Sequence, residues 1–399
     1  MKPPIHIETN ECIGCGVCAE VCPANCIRMV DDDEGFLVPS IDAAHCLHCR
    51  KCEQRCPVAH LESGSVPVRC VAAKAKESNK KEALSSSSAG VFYFLAKDFI
   101  QRGGVVYGAA FSNELTVQHI RIDKLDELWQ VQGSKYVQSR IDGVFSQVMD
   151  DLKDGRSVLF SGTPCQVAAL NKMVEHKDKS NLYTVDLICH GVPSPKLFQL
   201  YLRWLELKHN AVIENFSFRA SEKPWGGLYY RKAVFWQEKT QIVPHTLDPY
   251  YIAFIQAHSY RESCYICPFA NQQRQGDMSL GDYWGIEISL PEFAKEGDKV
   301  SAVLVNTEKG EILLQRLNET MMIEETSIED IARQNKNLLH PSARGKYREK
   351  IYDYLKQDNF AAIVSLLLPA PIYAKNWLKS KVPLPLKRLL KKCRGSVDL

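Results

Sequence analysis

The chain has 399 residues, 45% of them hydrophobic and 24% charged, with a formal net charge of +3. That length implies two or three domains, the composition is that of a globular protein, and so small a net charge gives no argument for a nucleic-acid partner. Fifteen cysteines without a segment that reads as a secretion signal point to metal and redox use in a reducing cytoplasm rather than to a disulfide framework.

Cys12, Cys15, Cys18 and Cys22 follow the spacing C-x-x-C-x-x-C-x-x-x-C, and Pro23 comes next. Cys46, Cys49, Cys52, Cys56 and Pro57 repeat it, each cysteine 34 residues after its counterpart. This run holds cubane clusters in two-cluster bacterial ferredoxins, where the fourth cysteine ligates the other cube. The expected ligand sets are Cys12, Cys15, Cys18 and Cys56 for one [4Fe–4S] cluster, and Cys46, Cys49, Cys52 and Cys22 for the second. Zinc knuckles need no third cysteine at the same step followed by Cys-Pro. Cys26 and Cys70 read as small buried residues, and Cys393 as a free thiol. The acidic turn Asp31–Gly35 reads as a solvated loop. His45, His48, Arg50, Lys51 and Arg55 surround the second comb, which predicts the higher potential there.

Residues 1–60 thus read as an α+β ferredoxin-like two-cluster module and 61–81 as a linker. A serine-rich turn, Ser85–Gly90, then enters a helix with Val91, Phe92, Leu95, Phe99 and Ile100 on one side. Such a turn offers hydroxyls and N–H groups to a phosphate, or serves merely as an N-cap. Val105–Phe111 reads as a strand. Strand, loop and helix then alternate twice, through Val158–Phe160 with Gly162-Thr163-Pro164-Cys165 and through Leu182–Ile188 with Cys189-His190-Gly191. That pattern predicts an α/β domain with a partly parallel sheet, and it sets Cys165 and Cys189 at the carboxyl edge where ligands gather. With Cys264-x-x-Cys267 they number four, enough for a third cluster. A zinc half-site plus two buried cysteines fits the spacing equally well. An arginine and a tryptophan in Phe218-Arg219 and Trp225-Gly226-Gly227 read as packing rather than as a substrate pocket. The basic tail, with Lys375, Lys379, Lys381, Lys387, Arg388, Lys391 and Lys392, suits a solvated end or, more weakly, an anionic membrane surface. No apolar run reaches spanning length.

The stretch from Ser86 to Gly285 resembles the coenzyme F420 hydrogenase/dehydrogenase beta-subunit family. Ser86–Gly90, Gly133–Ser139, Gly162–Gln166, Cys189–Ser194, Cys264-x-x-Cys267 and Gly281-Asp282-Tyr283-Trp284-Gly285 carry the likeness. It implies FAD beside a [4Fe–4S] cluster, which favours cluster ligation by Cys165, Cys189, Cys264 and Cys267. It also implies a flavin site lined by Ser86, Ser87, Ser88, Gly90, Gly133, Ser134, Lys135 and Thr163. Residues 82–155 are then the flavin-binding region, 156–310 the part with the third cluster, and 311–399 a helical, basic extension. Ala89-Gly90 departs from the Gly-Gly frequent in the family. The comb resembles bacterial relatives rather than the simple archaeal subunits.

The expected function is a cytoplasmic oxidoreductase passing electrons between a ferredoxin or other redox protein and a small organic substrate. Lys135 would place charge by the flavin, and His190 or Tyr136 would supply a proton. The rival is a cluster-only carrier or docking subunit without flavin, serving surface-polysaccharide synthesis as some bacterial relatives' neighbours suggest.

Overall fold

The computed structural model describes residues 10–220, 229–294 and 298–382. Trp225, Gly226 and Gly227, together with Lys387, Arg388, Lys391, Lys392 and Cys393, lie outside the described residues. In the ferredoxin-type domain each comb contains a one-turn helix, Val17–Glu20 in the first and Lys51–Gln54 in the second. Between them strands β1 (Ile27–Asp31) and β2 (Leu37–Ile41) form an antiparallel hairpin.

The following domain is built on one mixed sheet of eight strands. These are β3 (Arg69–Ala75), β4 (Val105–Phe111), β5 (Val117–Ile122), β6 (Val158–Gly162) and β7 (Leu182–Leu187), then, past a small separate sheet, β11 (Met278–Asp282), β12 (Ser301–Val305) and β13 (Met321–Thr326). The small sheet holds β8 (Ile213–Ser217), β9 (Tyr230–Phe235) and β10 (Lys239–Pro244), all antiparallel. The eight strands lie in the order β13-β3-β12-β11-β7-β6-β4-β5. The central pairs β4–β6, β6–β7 and β7–β11 are parallel, and the flanking pairs are antiparallel.

Parallel neighbours need crossovers, and the helices Val144–Lys153 and Pro164–Met173 supply two of them. Helices on both faces explain why Val158, Leu159 and Phe160 form an uninterrupted buried run. The central strands therefore finish at one edge, where Gly162, Leu187 and Asp282 end and antiparallel β12 begins at Ser301. The functional residues collect along that edge.

Two boundaries differ from the sequence reading. Residues 61–81 are not only a linker, because they contain β3, in which Val71, Ala72 and Ala73 are fully buried between β12 and β13. The extension beginning at 311 likewise includes β13, which completes the sheet through β3. The division at 155/156 falls between β5 and β6 of one sheet, so the two halves share a core. Among the described residues no single helix is long and apolar enough to cross a membrane. Phe360–Leu367 and Ala370–Lys381 reach that length only as a pair bent by 69°. Phe360, Ile363 and Leu367 are moreover buried in the aromatic core around the helix Pro195–His209.

Candidate functional site

Four cysteines meet at the sheet edge. Cys165 lies in the first turn of the helix Pro164–Met173, which Pro164 starts and a reciprocal capping box between Thr163 and Gln166 fixes. Cys189 stands two residues past the end of β7. Cys264 stands on the short helix Glu262–Tyr265, with Cys267 just beyond it. Burial raises the Cys189 thiol well above its usual range, and the neighbouring Cys264, Cys165 and Cys267 thiols raise it further. Burial and the same neighbours push Cys267 up to about 12, and burial with Cys165 does so for Cys264. Four crowded, dry thiols do not ionise for each other's benefit; a bound cationic group reverses that balance. Among the described residues no three His, Cys, Asp or Glu side chains close to the separation a single metal ion needs. Four thiols with no histidine or carboxylate among them are a donor set that a cubane cluster takes.

In the first domain the combs interleave. Burial raises Cys15, and its thiol also feels Cys18, Cys12 and Cys56, the last from the other comb. Cys52 in turn is raised by burial and then by Cys49 and Cys22. A cavity is lined by Cys22, Cys46, Cys49 and Cys52, with Cys26 among them. Cys26 is buried as the sequence implied, yet its sulfur lies 3.4 Å from that of Cys22, inside the cage rather than away from it.

Three of the five basic residues expected there have acidic partners, His45 pairing with Asp42, Arg50 with Glu53 and Arg55 with Glu175. These pairs weaken the electrostatic basis for a higher potential at the second comb and leave His48 and Lys51 to supply it. The acidic turn is not merely solvated either. Glu34 forms a two-pronged ion pair with Arg348 while its carbonyl accepts from Ser194 Oγ at 2.5 Å, which docks the domain on the ends of the helices Pro195–His209 and Arg348–Lys356.

Cys15 meets Cys165 and Cys267 against one apolar patch of Ile13, Val58, Ala168 and Phe269. The cage of Cys12, Cys15, Cys18 and Cys56 therefore adjoins the one at the sheet edge. The remaining cage lies outermost, with Cys49 and Leu47 exposed.

Beyond the sheet-edge cysteines the serine turn faces the Gly133–Ser139 loop. Ser87 and Ser134 hydroxyls are 2.6 Å apart, Ser88 donates to Val300 O at 2.9 Å, and Gln132 reaches Ser86 at 3.4 Å. Lys135 Nζ donates to Gln130 O at 3.0 Å and Gln132 O at 2.8 Å, and burial lowers its pKa to about 7. Burial also lowers Lys299, whose Nζ donates to Leu84 O at 3.0 Å. Thr163 stands apart from this group, its hydroxyl 3.1 Å from the Cys165 sulfur. His190 is half-buried, its pKa lowered by desolvation, with its ring 5.2 Å from that of Trp284. Tyr136 accepts from Arg219 Nε at 2.8 Å and stacks on Phe254.

Sequence reasoning read Arg219 as packing and gave Asp282 no role beyond its motif. Arg219 is not simple packing: its Nη1 donates to Asp282 Oδ1 at 3.0 Å and its Nη2 to Oδ2 at 2.5 Å. Burial pushes the Asp282 carboxyl up, but the Arg219 charge overrides this and holds it below the usual range. Trp284 Nε1 donates to Tyr229 OH at 2.8 Å, and that hydroxyl reaches Asp282 at 3.3 Å. Asp282 lies inside the Gly281–Gly285 motif at the end of β11, which was the available signal.

The Lys135 environment carries a pH prediction. Its folded pKa lies below the unfolded value, so between about 7 and 10.5 the unfolded chain binds the extra proton and stability rises with pH. The cost of holding a buried ammonium is fully present below about 7. In flavin-free protein, Lys135→Met should therefore gain stability relative to the parent as pH falls from 10 to 7, read from urea midpoints. A pH-independent difference would contradict it.

Comparison with known proteins accords with this geometry. The family described as the carboxyl terminus of the coenzyme F420 hydrogenase/dehydrogenase beta subunit matches residues 155–331, and a 4Fe-4S dicluster domain matches residues 11–60. An uncharacterized ferredoxin of Methanocaldococcus jannaschii is 30% identical over 82 residues, 21% of this chain and 99% of its own length. An iron-sulfur subunit of CoB–CoM heterodisulfide reductase from the same organism is 35% identical over 68 residues, 14% of this chain and only 10% of that protein. A chain of the F420-reducing [NiFe] hydrogenase complex of Methanosarcina barkeri aligns over 75% of this chain and 91% of its own at 16% identity, with a TM-score of 0.44, too low to argue from. With a ferredoxin-type iron–sulfur domain at the head of the chain, the β6–β13 region, residues 155–331, belongs to the coenzyme F420 hydrogenase/dehydrogenase beta-subunit family.

Proposed function

We propose that this iron–sulfur oxidoreductase holds three [4Fe–4S] clusters and FAD, and that it joins a redox protein to a small organic redox substrate. The observation that carries the reading is the shared apolar patch, which sets Cys15 of one cage against Cys165 and Cys267 of the next. It makes three cages a continuous series from the exposed Cys49 to the sheet edge. Clusters exchange single electrons and a flavin exchanges one or two, which matches a protein carrier to an organic substrate.

The chain's own residues have distinct parts in this. Cys22, Cys46, Cys49 and Cys52 hold the outer group where a ferredoxin or similar carrier has access. Ser86, Ser87, Ser88, Gly90, Gly133 and Ser134 offer hydroxyls and backbone to the flavin's phosphates, with Lys135 and Lys299 supplying charge. Thr163 belongs instead to the cap that positions Cys165. Asp282, with Arg219, Tyr136 and Tyr229, makes a buried polar network beside His190 and Trp284, where a proton can be held or moved.

The test is the composition of anaerobically purified protein. Acid precipitation should release about one FAD, alongside about twelve irons, four per cube. Iron without flavin would favour the cluster-only carrier instead.

A further inference from the structure

Arg261 is 3% exposed and stands between two of the cages. Its Nε donates to Cys12 O at 2.5 Å, Nη2 to Leu37 O at 2.9 Å and Nη1 to Gln138 Oε1 at 3.2 Å, while the guanidinium lies over the Phe36 ring at 5.3 Å. Each of these partners is neutral. Glu262 beside it is engaged by Arg344 and Arg348, and among the described residues no carboxylate pairs with Arg261. Arginine does not escape by losing its proton. A buried cation answered only by neutral dipoles is costly, so something anionic must answer it.

The two sides of the guanidinium show what that is. Towards the first comb, Arg261 Nη1 sits 2.8 Å from where a Cβ on Gly14 would stand, and Gly14 holds a left-handed φ of 67°. Only glycine at this position lets the arginine reach through. Towards the sheet edge, the Arg261 backbone is held by both segments that carry the other cage, its N–H donating to Val192 O at 3.0 Å, three residues past Cys189, and its carbonyl accepting from Cys264 N at 2.9 Å. A cube with four thiolates is a net anion that becomes more negative on reduction, so a cation alongside favours the reduced form. Around the outer cage, His45, Arg50 and Arg55 have acidic partners.

We propose that Arg261 is a shared counter-ion for the clusters held by Cys12, Cys15, Cys18 and Cys56 and by Cys165, Cys189, Cys264 and Cys267, raising both potentials together so that an electron passes between them without a large step. Arg261 is thus a positioning residue acting through charge, and the idea rests on the three-cluster reading above.

The test is an EPR-monitored redox titration of the full, anaerobically reconstituted chain. Arg261→Gln should shift the reduction equilibria of these two clusters at least tenfold towards the oxidised form, ~59 mV for each tenfold in a one-electron couple. The outer cluster should stay where it is. Arg261→Lys keeps the charge while losing the fork, so its midpoints should remain near the parent's, and it serves alone should Arg261→Gln fail to fold. Unmoved midpoints in Arg261→Gln, an equal fall in all three clusters, or a tenfold shift in Arg261→Lys would overturn the proposal and leave Arg261 a strap. A parent without a third cluster signal defeats the three-cluster reading and the sharing with it; three signals with unmoved midpoints defeat only the role of Arg261.

Discussion

Cys189→Ser should strip iron from the sheet-edge cage and leave the ferredoxin-type domain loaded. Cys189 is the ligand candidate with most at stake, because its sulfur feels all three of the others. Altering groups that merely support a metal ligand costs about 10–100-fold in affinity, and losing a thiolate from the set costs at least that. The variant should lose about four of about twelve irons. On the three-cluster, FAD-bearing reading proposed above, dithionite should still reduce the two remaining clusters while electron delivery to the flavin slows by at least ~100-fold in stopped-flow absorbance, since the patch around Ile13 and Phe269 then ends on an empty cage. The serine is close in volume to cysteine, so the fold should survive, which circular dichroism checks. Full iron content with unchanged flavin reduction would remove Cys189 from the site.

What could be read from sequence was whatever is encoded locally. The combs announce themselves because a cube takes three thiolates from one tight loop, so ligand spacing is a short-range property. Cys165 and Cys189 were placed by a rule of α/β sheets, since residues just past β6 and β7 must lie at the same edge. β3 was opaque for the opposite reason. Arg69-Cys70-Val71-Ala72-Ala73-Lys74-Ala75 has a single β-branched residue, and it becomes a strand only because β12 and β13 bury it from both sides. Lys74 reads as solvated, yet it is buried against Asp298 at 2.9 Å. Pairs such as Arg219–Asp282, and Arg261 with Cys12, join segments far apart in the chain, and no periodicity reports such a meeting. Cys26 shows the same limit at short range, because its turn, not its spacing, points it into the cage.

Arg274 ties the two halves of the sheet-edge cage together, and breaking its ion pair should be severely destabilising. Arg274 is 2% exposed and Asp186 fully buried. Arg274 Nη2 donates to Asp186 Oδ1 at 2.8 Å and to Leu187 O at 2.9 Å, while Nη1 donates to Asn271 O at 3.0 Å. The other Asp186 oxygen accepts from Gln275 N at 3.0 Å and Gly276 N at 2.9 Å. The loop after Cys267 is thereby pinned to the end of β7, two residues ahead of Cys189. Removing one partner leaves a buried charge unanswered, so Asp186→Asn or Arg274→Met should each destabilise the α/β domain by about 3–5 kcal/mol in urea. In the double variant neither charge remains. Its loss should therefore fall short of the sum by about 0.5–3 kcal/mol, the coupling expected of contacting residues. Iron retained at the sheet edge should drop in Arg274→Met at urea concentrations where the chain is still folded, because Cys267 and Cys189 are then free to drift apart. The outer clusters should be unaffected. Additive losses would mean that the pair is not coupled, and full cluster retention in a folded Arg274→Met chain would mean that the loop holds its place without it.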